Sequence, residues 1–299
     1  MLKYGLVALV LIVLVPVALV WWRQERIVFQ PPPGPWGPAA EARRVEYRAE
    51  DGTALHGWLV GDERSGRAAR PLLLVFHGNA DLASRQVPWA RELAARTGWR
   101  VLAAEYRGYE GAGGRPTYAG IALDAHAAWQ AARDSLGAQP WDIAIFGHSL
   151  GSAVAAELAA ALDTAGTPPR ALLLQSPFTS VRAMARLAMP RTVLWMWGAI
   201  ARVHYDTERR VRRLRAVVHV AHGERDAVIP VAMGRAVYDA ARVKGTLLVV
   251  PDAGHNDVPE TGGEAYWRWI DRALGTPAPR AERAATDGGT GREGGTARP

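Results

Sequence analysis

The chain contains no cysteine and only two lysines, Lys3 and Lys244, among its 299 residues. Without cysteine it forms no disulfide bond and has no thiol nucleophile, and its composition indicates no particular redox compartment. Its net charge of +7 at pH 7 therefore comes almost entirely from arginine. The sequence shows no internal repeat and no spacing of side chains typical of metal ligands. It predicts no cofactor, no metal and no nucleic-acid partner.

The most informative motif is the G-x-S-x-G pentapeptide at residues 147–151, with Ser149 at its centre. It follows an apolar run at 143–146 and precedes an alanine-rich stretch of strong helix formers. A sharp strand-to-helix turn lifts a serine Oγ above a sheet, and neighbouring Cβ atoms would clash in that turn. A serine that caps a helix can produce such a pentapeptide by chance, but the strand–turn–helix setting favours a nucleophile.

A nucleophilic serine needs a base, and the base needs an acid that orients it. Downstream, Asp226 follows one apolar strand and His255 follows the next, where open α/β sheets collect functional groups. Asp252 and Asp257 lie nearer to the histidine in sequence and compete for the role of the acid. The place of Asp226 at a strand end favours it, so we predict Ser149, His255 and Asp226 as nucleophile, base and acid.

Acyl transfer also needs two donors for the oxyanion that develops on the substrate. One is the backbone N–H of Leu150, the residue after the nucleophile. The other is expected in residues 77–80, which follow the predicted third strand at 72–76. We predict Asn79 as this second donor, with Ala80 as the alternative.

Five motifs occur in the order typical of α/β-hydrolases: H-G-N-A, Y-R-G-Y, G-H-S-L-G, H-G-E-x-D and G-H-N. Over residues 45–274 the chain resembles membrane-anchored α/β-hydrolases of the serine-aminopeptidase and monoacylglycerol-lipase-like group. The resemblance implies a triad of Ser149, Asp226 and His255. The Y-R-G-Y motif at 106–109 is expected to shape the site. One departure is Glu110-Gly111-Ala112, where relatives often have a Gly-x-Ser run.

Eight apolar stretches alternate with helical segments and predict an α/β-hydrolase fold, with a mostly parallel eight-stranded sheet covered by helices on both faces. The predicted strands are 45–47, 55–60, 72–76, 101–105, 143–146, 171–175, 217–220 and 246–250, the first two forming an antiparallel edge. A stretch rich in Met and Trp within 177–211 predicts a small helical cap with apolar surface for an acyl chain or the bilayer. The alternative is a helix packed in the core.

Nineteen residues between Lys3 and Arg23 carry no formal charge. As a helix they would cover about 28 Å, close to the hydrocarbon thickness of a bilayer. We predict a single-pass membrane anchor over residues 1–23. A cleaved signal peptide is the alternative, although no small-x-small cleavage site follows the run. The side of the membrane stays open, since the arginines after the run favour a cytoplasmic domain whereas N-terminal anchors often leave their domain outside.

The rest of the chain divides into three predicted parts. Residues 24–40 are rich in proline and predict a stiff linker, or a ligand for a partner domain. Residues 41–275 form the hydrolase domain, and residues 276–299, with few large apolar side chains, predict a disordered tail. Arginine pairs at 209–210 and 212–213 suit either anionic lipid headgroups or a solvated helix face.

These observations predict a serine hydrolase that forms an acyl-enzyme on an ester or thioester. The anchor and the cap favour a small-molecule or lipid-like substrate. A serine peptidase or aminopeptidase-like amidase is an alternative of the same enzyme class. A membrane-anchored scaffold that kept the fold and lost turnover is the alternative outside it. The sequence specifies neither the acyl chain length nor a protein partner.

Overall fold

In a computed structural model the chain forms one eight-stranded sheet flanked by helices. The structure describes residues 15, 18, 21–37, 39–61, 70–188 and 201–275. Most of the predicted anchor, the middle of the predicted cap at 189–200 and the whole predicted tail lie outside the described residues. Among those that are described, no helix combines the length and apolar character needed to span a bilayer.

The sheet confirms the predicted fold class. Its strands are β1 (Arg43–Arg48), β2 (Ala54–Val60), β3 (Leu72–Phe76), β4 (Arg100–Ala104), β5 (Ile143–His148), β6 (Ala171–Gln175), β7 (Val217–Gly223) and β8 (Lys244–Val250). Their spatial order is β1-β2-β4-β3-β5-β6-β7-β8. β1 and β2 form the antiparallel edge, and every pair from β4 to β8 is parallel. The carboxyl ends of the six paired parallel strands, β3 to β8, therefore lie at one edge of the sheet.

Helices connect these strands. They are α1 (residues 21–28), α2 (Val87–Thr97), α3 (Tyr118–Gln130), α4 (Leu150–Thr164), α5 (Val181–Ala188), α6 (Thr207–Val211), α7 (Val231–Ala240) and α8 (Val258–Leu274). α5 and α6 lie within the stretch that predicts the cap. Gly263 interrupts α8 with a φ of 47° and kinks it.

The central strand β3 shows why the sheet is covered on both faces. All five of its residues are buried, and successive side chains of a strand point to opposite faces. Leu72, Leu74 and Phe76 belong to one hydrophobic core, together with residues of α3, α4 and α7. Leu73 and Val75 belong to a second core, together with residues of α2 and α8. A continuous apolar run is thus the expected pattern for this strand.

The structure differs from the predicted linker at its beginning. Residues 21–28 are helical, and Phe29 is 2% exposed within the core that contains Leu74. Gln24 is also buried, and its Oε1 accepts a hydrogen bond from the backbone N–H of Val203 at 3.3 Å. The sequence did not predict this packing, because polar residues followed by prolines are typical of an exposed linker. The packed unit therefore starts upstream of residue 41.

Candidate active site

Ser149 lies at the turn between β5 and α4, with φ 53° and ψ −116°. Few residues with a side chain adopt a positive φ, and such strain often marks functional sites. The flanking glycines permit the turn: a Cβ at Gly147 would lie 2.2 Å from the carbonyl oxygen of Gly151, and one at Gly151 would lie 2.1 Å from that of Phe76. Only glycine therefore fits at these two positions of the motif.

His255 lies in the turn between β8 and α8 and connects the other two residues predicted for the triad. Its Nε2 is 2.9 Å from Ser149 Oγ, and its Nδ1 is 2.7 Å from Asp226 Oδ2. A carboxylate only accepts hydrogen bonds, so Nδ1 carries the proton and Nε2 is free to accept the serine proton. The structure thus brings the three predicted side chains into one hydrogen-bonded chain.

The carboxylate of Asp226 has hydrogen-bond partners besides His255. Its Oδ1 accepts hydrogen bonds from the backbone N–H groups of Val228 at 2.8 Å and Ile229 at 2.7 Å, and His222 Nε2 lies 3.2 Å from its Oδ2. Burial alone would raise the pKa of Asp226, but the hydrogen bonds from His222, His255 and Ile229 outweigh it. They hold the pKa of this carboxyl well below its usual range. Asp226 is therefore ionised at neutral pH.

The two competing carboxylates have other partners. Asp252 is exposed and forms an ion pair with Arg225 at 2.6 Å. Asp257 accepts hydrogen bonds from the backbone N–H of Gly254 at 2.7 Å and from the hydroxyl of Thr261 at 3.1 Å. Of the three carboxylates, Asp226, the one predicted, is placed 2.7 Å from His255 Nδ1.

Residues 77–80, after β3, run alongside Ser149. A Cβ at Gly78 would lie 3.4 Å from the Cβ of Ser149, so the loop backbone passes close to the Ser149 side chain. Asn79 and Ala80 both line the cavity that contains Ser149. Leu150 is the first residue of α4, where backbone N–H groups have no partner within the helix. The geometry is compatible with donors at Leu150 and Asn79, and Ala80 stays an alternative.

A buried ion pair under this loop was missed in the sequence. His77 Nε2 lies 2.8 Å from Glu105 Oε1, and both side chains are fully buried. Burial lowers the pKa of His77, but the charge and hydrogen bond of Glu105 outweigh it and raise this pKa above its ordinary value. Phe76 and Ala104 are partners in the parallel pair β3–β4. His77 follows Phe76 and Glu105 follows Ala104, so the two side chains lie at the ends of adjacent strands. This placement is the feature of the sequence from which their contact could be predicted.

The Y-R-G-Y motif supports the same loop. The hydroxyl of Tyr106 donates to the carbonyl oxygen of His77 at 2.9 Å, and that of Tyr109 donates to Asn79 Oδ1 at 3.0 Å. Arg107 is buried between Asp51 and Asp124, at 2.6 and 2.8 Å. The motif thus contacts the loop through its two tyrosines.

His148, which precedes Ser149 in the G-x-S-x-G motif, contacts His255 directly. Its Nε2 donates to the carbonyl oxygen of His255 at 3.1 Å, and the two ring centroids are 5.1 Å apart. Burial, reinforced by electrostatic repulsion between the two imidazoles when both are protonated, lowers the pKa of His148 to about 4. His148 is therefore neutral at pH 7 and orients the turn that carries the base.

A cavity of about 530 Å³ opens beside Ser149 and His255. Its wall combines aromatic and aliphatic side chains with charged ones, among them Trp89, Phe146, Val228, Tyr266, Asp81, Arg85 and Glu260. Across the described ranges no cluster of three or more histidine, aspartate or glutamate side chains is arranged to hold a metal ion. Because its wall has both apolar and charged side chains, the cavity can accept an organic substrate with apolar and polar parts next to Ser149.

The sheet order and the serine at its strand-to-helix turn define an enzyme of the α/β-hydrolase class. Residues 71–209 match the family described as a thioesterase domain. Over 265 residues the chain is 35% identical to the uncharacterized protein MT2364 of Mycobacterium tuberculosis (strain CDC 1551 / Oshkosh), covering 86% of this chain and 89% of that protein. The chain belongs to the α/β-hydrolase family.

Two further comparisons describe its neighbours. The lysophosphatidylserine lipase ABHD12 of Danio rerio is 31% identical over 192 residues, which cover 60% of this chain and 49% of the lipase. The chain thus aligns with about half the length of that relative. The solved esterase Pf2001 of Pyrococcus furiosus superposes with a TM-score of 0.62 at 21% identity, over 82% of this chain and all of that one. The likeness to Pf2001 shows that the two proteins share a fold.

Proposed function

We propose that the protein is a serine hydrolase that cleaves carboxylic esters or thioesters through an acyl-enzyme on Ser149. The observation that carries the proposal is the continuous hydrogen-bonded chain from Asp226 through His255 to Ser149. This is the order of groups that transfers the serine proton to the base and stabilises the resulting imidazolium.

In the first half of the reaction His255 Nε2 accepts the proton of Ser149 as its Oγ attacks the substrate carbonyl. The backbone N–H groups of Leu150 and Asn79 donate to the oxyanion that forms. His255 then donates its proton to the leaving alcohol or thiol, which departs and leaves the acyl group on Ser149. In the second half water takes the place of the serine hydroxyl, and the same groups release the carboxylic acid.

The proposed substrates are small-molecule or lipid-like. The match to a thioesterase domain supports acyl substrates, and the similarity to the lysophosphatidylserine lipase ABHD12 supports a lipid-like ester. The apolar part of the cavity wall, which includes Trp89 and Phe146, suits an acyl chain. Its charged part, with Asp81 and Glu260, is the reason to test peptide amides beside the esters.

We also propose that residues 1–23 anchor the protein in a membrane as a single span. The support is the uncharged run between Lys3 and Arg23. In the test, membranes are prepared from cells that express the full chain and are then extracted with alkaline carbonate. A retained anchor keeps the protein in the pellet, whereas release into the supernatant contradicts the proposal.

The proposed function is tested by labelling the full chain with a fluorophosphonate and mapping the modified peptide by mass spectrometry. Ser149→Ala is the matched loss variant. Ser84→Ala is the control, because Ser84 lines a different cavity. Labelling at Ser149 that disappears only in Ser149→Ala supports an activated nucleophile, and hydrolysis of nitrophenyl esters and acyl thioesters then defines the substrate class.

Two results would contradict it. A folded wild-type protein that takes no label supports the scaffold alternative. Cleavage of peptide amides with no cleavage of any ester supports the peptidase alternative.

A further inference from the structure

The side chain of Asn79 is engaged with three groups around the loop that follows β3. Its Nδ2 donates to the carbonyl oxygen of Val28 at 2.7 Å. Its Oδ1 accepts from the backbone N–H of Gln30 at 2.9 Å and from the hydroxyl of Tyr109 at 3.0 Å. Two of the three partners thus belong to a segment 49 and 51 residues upstream.

That upstream segment is fixed to the domain independently of Asn79. Phe29 is buried in the main core at 2% exposure. Glu25 Oε1 accepts from the backbone N–H of Tyr118 at 3.1 Å, which ties α1 to the start of α3, and its Oε2 pairs with Arg202 at 3.3 Å. Residues 24–30 are therefore fixed to the domain by contacts of their own and can restrain a neighbouring loop.

The loop itself needs such support. Ala80, the next residue, has a φ of 54°, in the left-handed region that is strained for a residue with a Cβ. A backbone N–H aids an oxyanion only when it lies within hydrogen-bond distance of the position that the oxygen will occupy. A strained loop outside helix and strand holds that position only if its surroundings fix it.

We propose that residues 24–30 are a positioning element of the active site, which fixes the oxyanion loop through the side chain of Asn79. This rests on the proposed function, in which the backbone N–H of Asn79 is an oxyanion donor. Asn79 then has two tasks: its N–H contacts the substrate oxygen, and its amide side chain ties the loop to α1 and to Tyr109. The catalytic unit accordingly begins at about residue 24, directly after the predicted anchor.

The experiment compares Gln30→Pro with Gln30→Ala in the full chain. Proline removes the backbone N–H that donates to Asn79 Oδ1. Alanine keeps this N–H and loses only the glutamine side chain, so it serves as the reference. Tyr109→Phe, a second variant, removes only the hydroxyl that donates to the same oxygen. Each protein is measured for kcat and KM on a nitrophenyl ester and for its thermal midpoint.

The expected result is that kcat falls about tenfold in Gln30→Pro relative to Gln30→Ala, with KM within about twofold. The loss is smaller than the 10²–10³-fold cost of removing an oxyanion donor outright, because the donor is displaced and not deleted. It appears in kcat because the oxyanion forms only in the transition state. Tyr109→Phe is expected to lower kcat severalfold in the same way.

The proposal is overturned if both variants fold and keep kcat within twofold of their references, or if kcat falls only as far as the folded fraction does. If Gln30→Pro does not fold, Asn79→Ala decides between the same outcomes with Tyr109→Phe as its reference, because it keeps the backbone N–H of residue 79 and also removes the side-chain bonds to Val28 and Gln30. Failure of the proposed function is a separate result, since it shows as absence of ester hydrolysis in the wild type.

Discussion

His255 Nδ1 donates to Asp226 Oδ2 across 2.7 Å, although the two residues are 29 positions apart in the chain. Asp226 follows β7 and His255 follows β8, and these strands are parallel neighbours. The turns at their carboxyl ends therefore meet, which is why open α/β sheets gather reacting groups at that edge. The same relation brings Ser149, which follows β5, within reach of the imidazole.

Asp226→Asn is predicted to lower kcat by about 10³–10⁴-fold, as such a change does in serine proteases. Asparagine keeps the size of the side chain but removes the charge that stabilises the imidazolium and fixes the proton on Nδ1. The measurement is kcat for a nitrophenyl ester at pH 7–8. Asp252→Asn is the control, because this exposed carboxylate pairs with Arg225 and is expected to change kcat less than twofold. A loss below tenfold in Asp226→Asn would show that another acid serves the base.

Local patterns were enough to predict the eight strands and the three residues of the hydrogen-bonded chain. A buried strand such as β3 appears as an uninterrupted apolar run, and a strand-to-helix turn over Ser149 requires glycines at fixed positions. Strand ends in a parallel sheet share one edge, so the place of Asp226 and His255 follows once the strands are known. These features depend on neighbours in sequence or on sheet order.

The docking of residues 24–30 could not be predicted in this way. The side chain of Asn79 bonds backbone groups of Val28 and Gln30, and a backbone partner leaves no trace in residue type. Gln24 and Glu25 are polar and precede a run of prolines, so the segment has the composition of a linker even though it packs on the domain. Only the tertiary structure shows that these polar groups find partners there.

Gly151→Ala is predicted to destabilise the protein severely, by at least about 3 kcal/mol, because the added Cβ would lie 2.1 Å from the carbonyl oxygen of Phe76. Backbone of the central strand cannot yield by the required distance without loss of its ladder. The measurement is the free energy of unfolding in urea. Gly37→Ala is the matched control, since a Cβ there has no heavy atom within 4 Å, and it is expected to change this free energy by less than about 0.5 kcal/mol. Equal effects of the two substitutions would mean that the turn relaxes around alanine.

His219→Gln is predicted to flatten the dependence of stability on pH. Burial lowers the pKa of His219 to about 4 from an ordinary value of 6.5, and its Nδ1 accepts from the backbone N–H of Thr246 at 3.1 Å. Between pH 6.5 and 4 the unfolded chain binds a proton here that the folded chain does not, so acidification favours unfolding by up to about 1.4 kcal/mol per pH unit. Above pH 6.5 this contribution is constant. Glutamine has no titrating group, so the free energy of unfolding measured in urea at pH 7, 5.5 and 4.5 should fall less steeply in the variant. Parallel curves for the two proteins would show that His219 titrates alike in both states.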